Sequence, residues 1–472
     1  MIALTLAEIA EITAGRLELS GSTATAGTAV DGTVETDSRE IRPGGIFVAK
    51  PGEVTDGHLF APAAVEAGAA LLIVEHPLEL AVPQIVVADA VSALGDLATE
   101  VVRRVRALGR LKIVAVTGSN GKTTTKNLLG AILERRGATI APRESFNNEV
   151  GAPLTMLRLT EQTDYLVAEM GASGVGEISR LIRMARPDVG IVLTVGLAHA
   201  GEFGGIEQTL KAKTEMVTDL LPEDTAVLNA DDFRVAGMAE STRARVLWFG
   251  RETGDVRATD IAADARGTSF LLHVPGEEPR PVRFAVLGEH HVMNALAAAT
   301  ACTALGVPLD DIVEGLQSVT RAERWRMEVL PGQNVTVIND AYNASPDSMA
   351  AALKTLAQIA PGRTVAVLGE MSELGQFSGD EHDRIGRLVV RLGIGQLVSV
   401  GPGQGARRMY LAASQEGSWD GESLYAETPD EAEELVTGLL RAGDTVLVKS
   451  SNSARLRFLG DRLGELVSCR RF

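Results

Sequence analysis

Short apolar runs recur along this chain, and the segments between them change character twice. Over roughly the first hundred residues, IFVA (46–49), ALLIV (70–74) and QIVVA (84–88) alternate with turn-rich stretches such as RPGG and KPGEVTDGH. Short strands with helical intervals predict a small α/β domain. The stretch SALGDLATEVVRRVRALGR carries basic residues towards its end and Gly109 beyond it, so a helix is expected there, with a new domain from about Leu111. KIVAVTG, YLVAEMG, DVGIVLTVG and TAVLNADD then follow as continuous apolar runs, mostly separated by helix-like segments. That pattern predicts a mostly parallel sheet covered on both faces. After a helical HHVMNALAAATACTALG and a turn near Val307 and Pro308, a third series begins with VTVINDAYN, TVAVLGEM, QLVSVG and DTVLVKSS. It reads as a second doubly wound sheet, with its boundary near residue 321.

The 472 residues exceed what one ordinary core holds. With 45% hydrophobic and 23% charged residues the chain is an ordinary globular one. A formal charge of -17 weighs against nucleic-acid binding, which needs a basic surface. It leaves an anionic substrate open, because a divalent cation reverses the local field. The two cysteines, Cys302 and Cys469, sit in no CxxC spacing, so neither a disulfide scaffold nor a zinc site is expected. Glu8 and Glu11 interrupt what a signal peptide would keep apolar, and no run approaches a transmembrane length. A cytoplasmic, reducing location is the expectation.

Chemistry first enters at IVAVTGSNGKTTTKNLLGAIL. The usual mononucleotide loop has glycine five positions before the Gly-Lys pair, and here that position is Val116. The physical requirements are nevertheless met. A buried strand ends at the loop, Gly118 and Gly121 permit tight turning, and Lys122 opens a helix rich in threonine. Amides of Gly118, Ser119, Asn120 and Gly121 and the positive helix end make an anion site. Lys122 is placed to neutralise β- and γ-phosphates, and Thr123 or Thr124 to ligate magnesium. Arg135 and Arg136 are expected to complement the helix's negative end, with Gly137 capping it. Glu169 ends one apolar run and His199 follows another. Both should therefore reach the carboxyl edge of the same sheet, where open α/β sheets bind ligands. A carboxylate and an imidazole there suit a hard cation. His290 and His291 are adjacent on a helix, point about 100° apart, and so do not share an ion.

These motifs resemble the Mur ligase superfamily over nearly the whole chain. The matching stretches are TDSREIRPGGIFVAKPGEVTDGHLFAPAAVEAGAALLIV, TGSNGKTTTK, FNNEVGAPLTML, AEMGASGVGEI, AHAGEFGG, KAKTEM, RWRMEV, NDAYNASPDSMAAAL and GEMSELG. The order and spacing are closest to the branch that adds D-alanyl-D-alanine to UDP-N-acetylmuramoyl-tripeptide. The resemblance implies an ATP-dependent amide ligase in peptidoglycan precursor synthesis, acting through an acyl phosphate, with ATP and two magnesium ions and as a monomer. It implies an α/β fold of three domains. These are a small N-terminal α/β domain for the UDP substrate (1–108), a central P-loop domain with a mostly parallel sheet (109–320), and a C-terminal Rossmann-like ligase domain (321–472).

By residue, the resemblance assigns Lys122, Lys213 and His199 to catalysis, and Thr123, Glu169, His199 and a carbamylated Lys213 to metal. Without it, Lys211 and Lys213 read as a solvated helical face. It places Asn294 on adenine and Arg326, Asp340 and Tyr342 on ATP when the third domain closes. Ser38 and Arg39 are then candidates for the uridine nucleotide, and Asn147 and Asn148 for the peptide end, with a turn-forming asparagine pair as the alternative. Near the C-terminus VKSSNSAR departs from the family's Lys-Gly-Ser-Arg, with Ser450 and Asn452 at the Gly and Arg positions. Arg455 is the available substitute for that anion contact. The diamino-acid-adding branch is disfavoured by the lack of a DNPR string, and a P-loop kinase would not need the third sheet.

Overall fold

The computed structural model describes all residues except 53–54, 144, 198–203, 320–322 and 418. His199 therefore lies outside the described residues. Three main sheets follow one another along the chain. The first orders strands Arg16–Glu18, Gln84–Val86, Leu71–Val74, Ile46–Val48 and Val34–Glu35, with only the Arg16–Glu18 pairing antiparallel.

The second sheet is built around Lys112–Thr117, whose residues Ile113 to Val116 are fully buried, as a strand covered on both faces must be. Tyr165–Glu169 pairs parallel on one side, with Glu169 opposite Val116. Val189–Val192 pairs parallel on the other, with Val192 opposite Thr117. This register brings the ends of three strands level and sets Glu169 beside the start of the phosphate loop. Helix Lys122–Leu133 covers one face through Leu128, Leu129, Ile132 and Leu133. It lies against helix His290–Ala304, whose run of buried alanines permits close approach.

The sheet also carries an antiparallel extension, Val256–Asp264, Gly267–His273 and Arg280–Phe284, which adds to the mostly parallel sheet expected. VRATDIAAD and GTSFLLH do alternate in burial along part of their length, a weaker signal than the continuous runs. The third sheet orders Glu328–Pro331, Thr336–Asn339, Thr445–Lys449, Thr364–Gly369, Gln396–Val400 and Glu422–Ala426, with all but the first pairing parallel. Separate apolar clusters pack on its two faces.

Helix Ala90–Arg106 starts where Asp89 accepts from the Ser92 amide at 2.6 Å. Beyond its end Gly109 takes φ +84°, as a stop signal should. Its buried Leu94, Leu97, Val101 and Val105 join the first sheet to helices Gly151–Met156 and Glu177–Ala185 in one continuous core. The end of helix Lys122–Leu133 differs from expectation. Arg135 and Arg136 pair with Asp311, and Arg135 also with Glu314, across a helix–helix contact. Gly137 has no positive φ; a Cβ there would come within 2.4 Å of the Asp164 carboxylate, which accepts from the Ala138 amide. Close approach, rather than capping, is what needs glycine. Among the described residues no helix is long and apolar enough to cross a membrane.

Candidate active site

The phosphate loop is held from several sides. Gly118 at φ +155° and Gly121 at φ +87° occupy conformations that a side chain resists. The Ser119 amide donates to Thr194 O at 2.9 Å, and its hydroxyl accepts from the Gly196 amide at 2.9 Å. Asn120 Oδ1 accepts from Ser345 Oγ at 2.9 Å, a contact from the third domain. Lys122 Nζ folds back to Gly118 O at 2.7 Å. The half-buried Thr124 shares the first helical turn, whose amides lack intrahelical partners by geometry. Thr123 Oγ1 lies 3.2 Å from Ser145 Oγ, which accepts from Arg326 Nη2 at 2.9 Å. One hydroxyl thus links the loop helix to the third domain.

Glu169 is 1% exposed. Its Oε1 accepts from Asn147 Nδ2 at 2.8 Å, while Oε2 has no hydrogen-bond partner among the described residues. A buried acceptor left bare is costly unless something binds it. Packing lowers the pKa of the Lys122 ammonium, an effect opposed by the nearby Glu169 charge and reinforced by Arg326. Lys213, buried on helix Ile206–Thr218, has its pKa pushed down to about 7 by burial and then by the Lys122 charge. Lys122, Glu169 and Lys213 therefore share one electrostatic neighbourhood.

The other expected residues divide. Asn294 is buried, donates from Nδ2 to His291 Nδ1 at 3.0 Å, and presses its Oδ1 against Gly121. Arg326 stacks over the Tyr342 ring at 4.1 Å, so these two form a unit. Asp340 is engaged within the third domain: Oδ2 pairs with Lys449 Nζ at 2.6 Å and Oδ1 accepts from the Met327 amide at 3.0 Å. Asn147 holds Glu169, and Asn148 Oδ1 accepts from the Val150 and Gly151 amides, a helix-opening turn. Arg39 is exposed and bidentate on Asp37 beside the half-buried Ser38, in the first domain. Near the variant C-terminal segment Lys449 turns to Asp340, and Ser450 is fully buried with its hydroxyl on Ser451 O at 2.9 Å.

The His290 and His291 rings sit 4.0 Å apart. Burial pushes His290 down to about 4 and His291 well below the usual range. Among the described residues no group of three His, Cys, Asp or Glu is arranged to hold a metal. Ser145, Ser345 and Lys449 were not singled out in the sequence; each acts through a partner 22 to 225 positions away. Proximity in the chain to FNN and NDAYN was the signal for Ser145 and Ser345, and the VKSSNSAR stretch that for Lys449.

A phosphate loop meeting a bare buried carboxylate, under a third domain that reaches the loop, agrees with comparison to known proteins. The Mur ligase middle domain model matches residues 116–302, the Mur ligase glutamate ligase domain 325–452 and the Mur ligase family catalytic domain 32–113. The UDP-N-acetylmuramoyl-tripeptide–D-alanyl-D-alanine ligase of Mycobacterium tuberculosis is 43% identical over 98% of both chains. The chain belongs to the Mur ligase family.

Two solved structures extend this likeness within the Mur ligases. The UDP-N-acetylmuramoylalanyl-D-glutamyl-2,6-diaminopimelate–D-alanyl-D-alanyl ligase from Acinetobacter baumannii superposes with TM-score 0.84 at 33% identity, over 98% of each chain. MurF ligase from Thermotoga maritima in complex with ADP superposes with TM-score 0.80 at 27% identity, over 93% of this chain and 99% of that one. The three-domain α/β architecture is that of the family, and the chain is an ATP-dependent Mur ligase.

Proposed function

We propose that this Mur ligase joins D-alanyl-D-alanine to the terminal carboxylate of UDP-N-acetylmuramoyl-tripeptide, in the cytoplasm and as a monomer, as a step in peptidoglycan precursor synthesis. The relative from Mycobacterium tuberculosis, which the chain matches end to end, carries that activity in its name. The observation that carries the reading is the convergence of Lys122, Glu169 and Lys213 in one charged neighbourhood, reached from the third domain by Arg326 and Ser345.

The chemistry follows from charge. A free carboxylate is a poor electrophile, and its oxygen a poor leaving group. Transfer of the γ-phosphoryl of ATP to that oxygen gives an acyl phosphate and ADP. The amine of D-alanyl-D-alanine then attacks the carbonyl carbon; the C–N bond forms, the C–O bond to phosphate breaks, and the ammonium proton is released. The enzyme's work is positioning and charge neutralisation. The loop amides of Gly118 to Gly121 and the Lys122 ammonium receive the phosphates. Asn294 reads adenine, while Arg326, Tyr342 and Asp340 bring the third domain onto the nucleotide. Ser38 and Arg39 serve the uridine end, and Asn147 and Asn148 the peptide end.

Magnesium fits the donors present, since the bare Glu169 Oε2 and the Thr123 hydroxyl are hard oxygens. Carbamylated Lys213 and His199 would complete a two-ion set. When bound, the ions supply positive charge where triphosphate and carboxylate meet. The depressed pKa of Lys213 supports carbamylation, because only a neutral amine reacts with CO2.

The test is ADP release by the purified protein. Release that requires both UDP-N-acetylmuramoyl-tripeptide and D-alanyl-D-alanine is expected. Release with either one alone would overturn ligation in favour of a kinase or simple NTPase.

A further inference from the structure

Beside Glu169 the central domain opens into a cavity of about 130 Å³ whose lining includes Asn148, Glu149, Gly171, Ser173, Glu177 and Arg180. Two of its walls are the segments that hold the Glu169 carboxylate, and the third is helix Glu177–Ala185. Asn148 adjoins Asn147, which donates to Glu169 at 2.8 Å, and the Gly171 amide donates to Asn147 O at 2.7 Å. A group reacting at Glu169 therefore has this cavity as its neighbour.

The polar residues divide into fixed and available ones. Glu177 accepts from the Ser173 amide at 2.8 Å and from its hydroxyl at 3.1 Å, which sets one wall. Glu149 and Arg180 pair at 2.7 Å with side chains 53% and 54% exposed. Exposed pairs are weakly held and exchange partners readily. A carboxylate and a guanidinium side by side complement an amino acid head group, whose ammonium suits the one and whose carboxylate suits the planar fork of the other.

We propose that this cavity receives the side chain of the acceptor's terminal diamino acid, with Glu149 binding its distal ammonium and Arg180 its distal carboxylate. The inference rests on the acceptor assigned under Proposed function and deepens it. The peptide end is assigned to Asn147 and Asn148, and Asn148 lines the cavity, so the side chain leaves from the cavity's mouth, and Leu181 offers an apolar wall to its methylenes. Diaminopimelate satisfies both charges. Lysine takes Glu149 and leaves Arg180 without a carboxylate, so the cavity selects diaminopimelate over lysine.

The full-length protein is assayed with ATP, D-alanyl-D-alanine and UDP-N-acetylmuramoyl-tripeptide ending in either meso-diaminopimelate or lysine. Wild type should favour the diaminopimelate peptide in kcat/KM. Arg180→Gln should cut that preference by about ten-fold or more, chiefly through KM, because a polar partner is lost for one substrate alone. Glu149→Gln should raise KM for both peptides, and Arg180→Lys should recover part of the preference. Equal use of both peptides by wild type, or equal loss on both in Arg180→Gln, would overturn the cavity assignment while leaving the ligase reading intact. Failure of wild type to use either peptide would instead overturn the ligase reading.

Discussion

Replacing Gly121 by alanine probes the phosphate loop through two penalties that can be measured apart. The first is conformational: at φ +87° an L-residue is strained by about 1–2 kcal/mol. The second is steric. The new Cβ would lie 2.3 Å from Asn294 Oδ1 and 3.1 Å from its Cγ, so Asn294 must move. Moving it breaks the buried contact with His291 Nδ1 at 3.0 Å, and an unsatisfied buried group costs about 1–3 kcal/mol. Together they predict a loss of about 2–5 kcal/mol, or a drop in melting temperature of roughly 4–20 °C for a domain of this size. Asn294→Ala in the same background removes the collision and leaves the backbone strain. A double-mutant cycle by denaturant unfolding should therefore show a favourable coupling of about 1–3 kcal/mol, with nucleotide affinity measured in parallel by calorimetry. Additivity within about 0.5 kcal/mol would refute the contact. An unchanged stability in Gly121→Ala would refute the strained loop itself.

Lys213→Ala should abolish turnover, with partial recovery from added short carboxylates. In the native protein a pKa of about 7, against the ordinary 10.5, leaves roughly half the amine neutral at pH 7. Reactivation of a CO2-stripped sample at a fixed concentration of dissolved CO2 should thus quicken as pH rises from about 6 to 8 and then level off, and activity indifferent to CO2 would remove the carbamate. The same depression makes folding stability rise with pH between about 7 and 10.5, where the unfolded chain still holds the proton that the folded one has lost. Lys449→Met strands Asp340, whose side chain is 14% exposed, and should cost about 3–5 kcal/mol, much of it recovered in Lys449→Met with Asp340→Leu; a single-variant loss below about 1 kcal/mol would count against the pair. Asn147→Ala frees Glu169 Oε1 and should raise the magnesium needed for half-maximal turnover about 10–100-fold. An unaltered magnesium titration would show that Asn147 does not position Glu169.

Much of the fold is legible in local pattern. The fully apolar Ile113 to Val116 could only be a strand covered on both faces, and Gly118, Gly121 and Lys122 announced a phosphate cradle although Val116 breaks the usual string. These features depend on backbone conformation and burial, which neighbouring residues dictate. The antiparallel strands from Val256 to Phe284 were less legible, because the alternation along Val256–Asp264 is interrupted by the register shift between Thr259 and Ala262. Gly137 was legible as an obligatory glycine but not for its reason, which is a carboxylate 27 residues on, at Asp164.

The sequence by itself therefore determined the strand runs, the loop and the types of charged group available to the site. Only the tertiary structure decided their partners. It put Asn147 on Glu169, Arg326 on Tyr342 and Ser145, Lys449 on Asp340 and Ser345 on Asn120. The physical reason is range. A turn or a buried strand is fixed by interactions among residues a few positions apart. A hydrogen bond between positions 120 and 345 exists because two separately folded sheets meet there, and no local stretch carries that geometry.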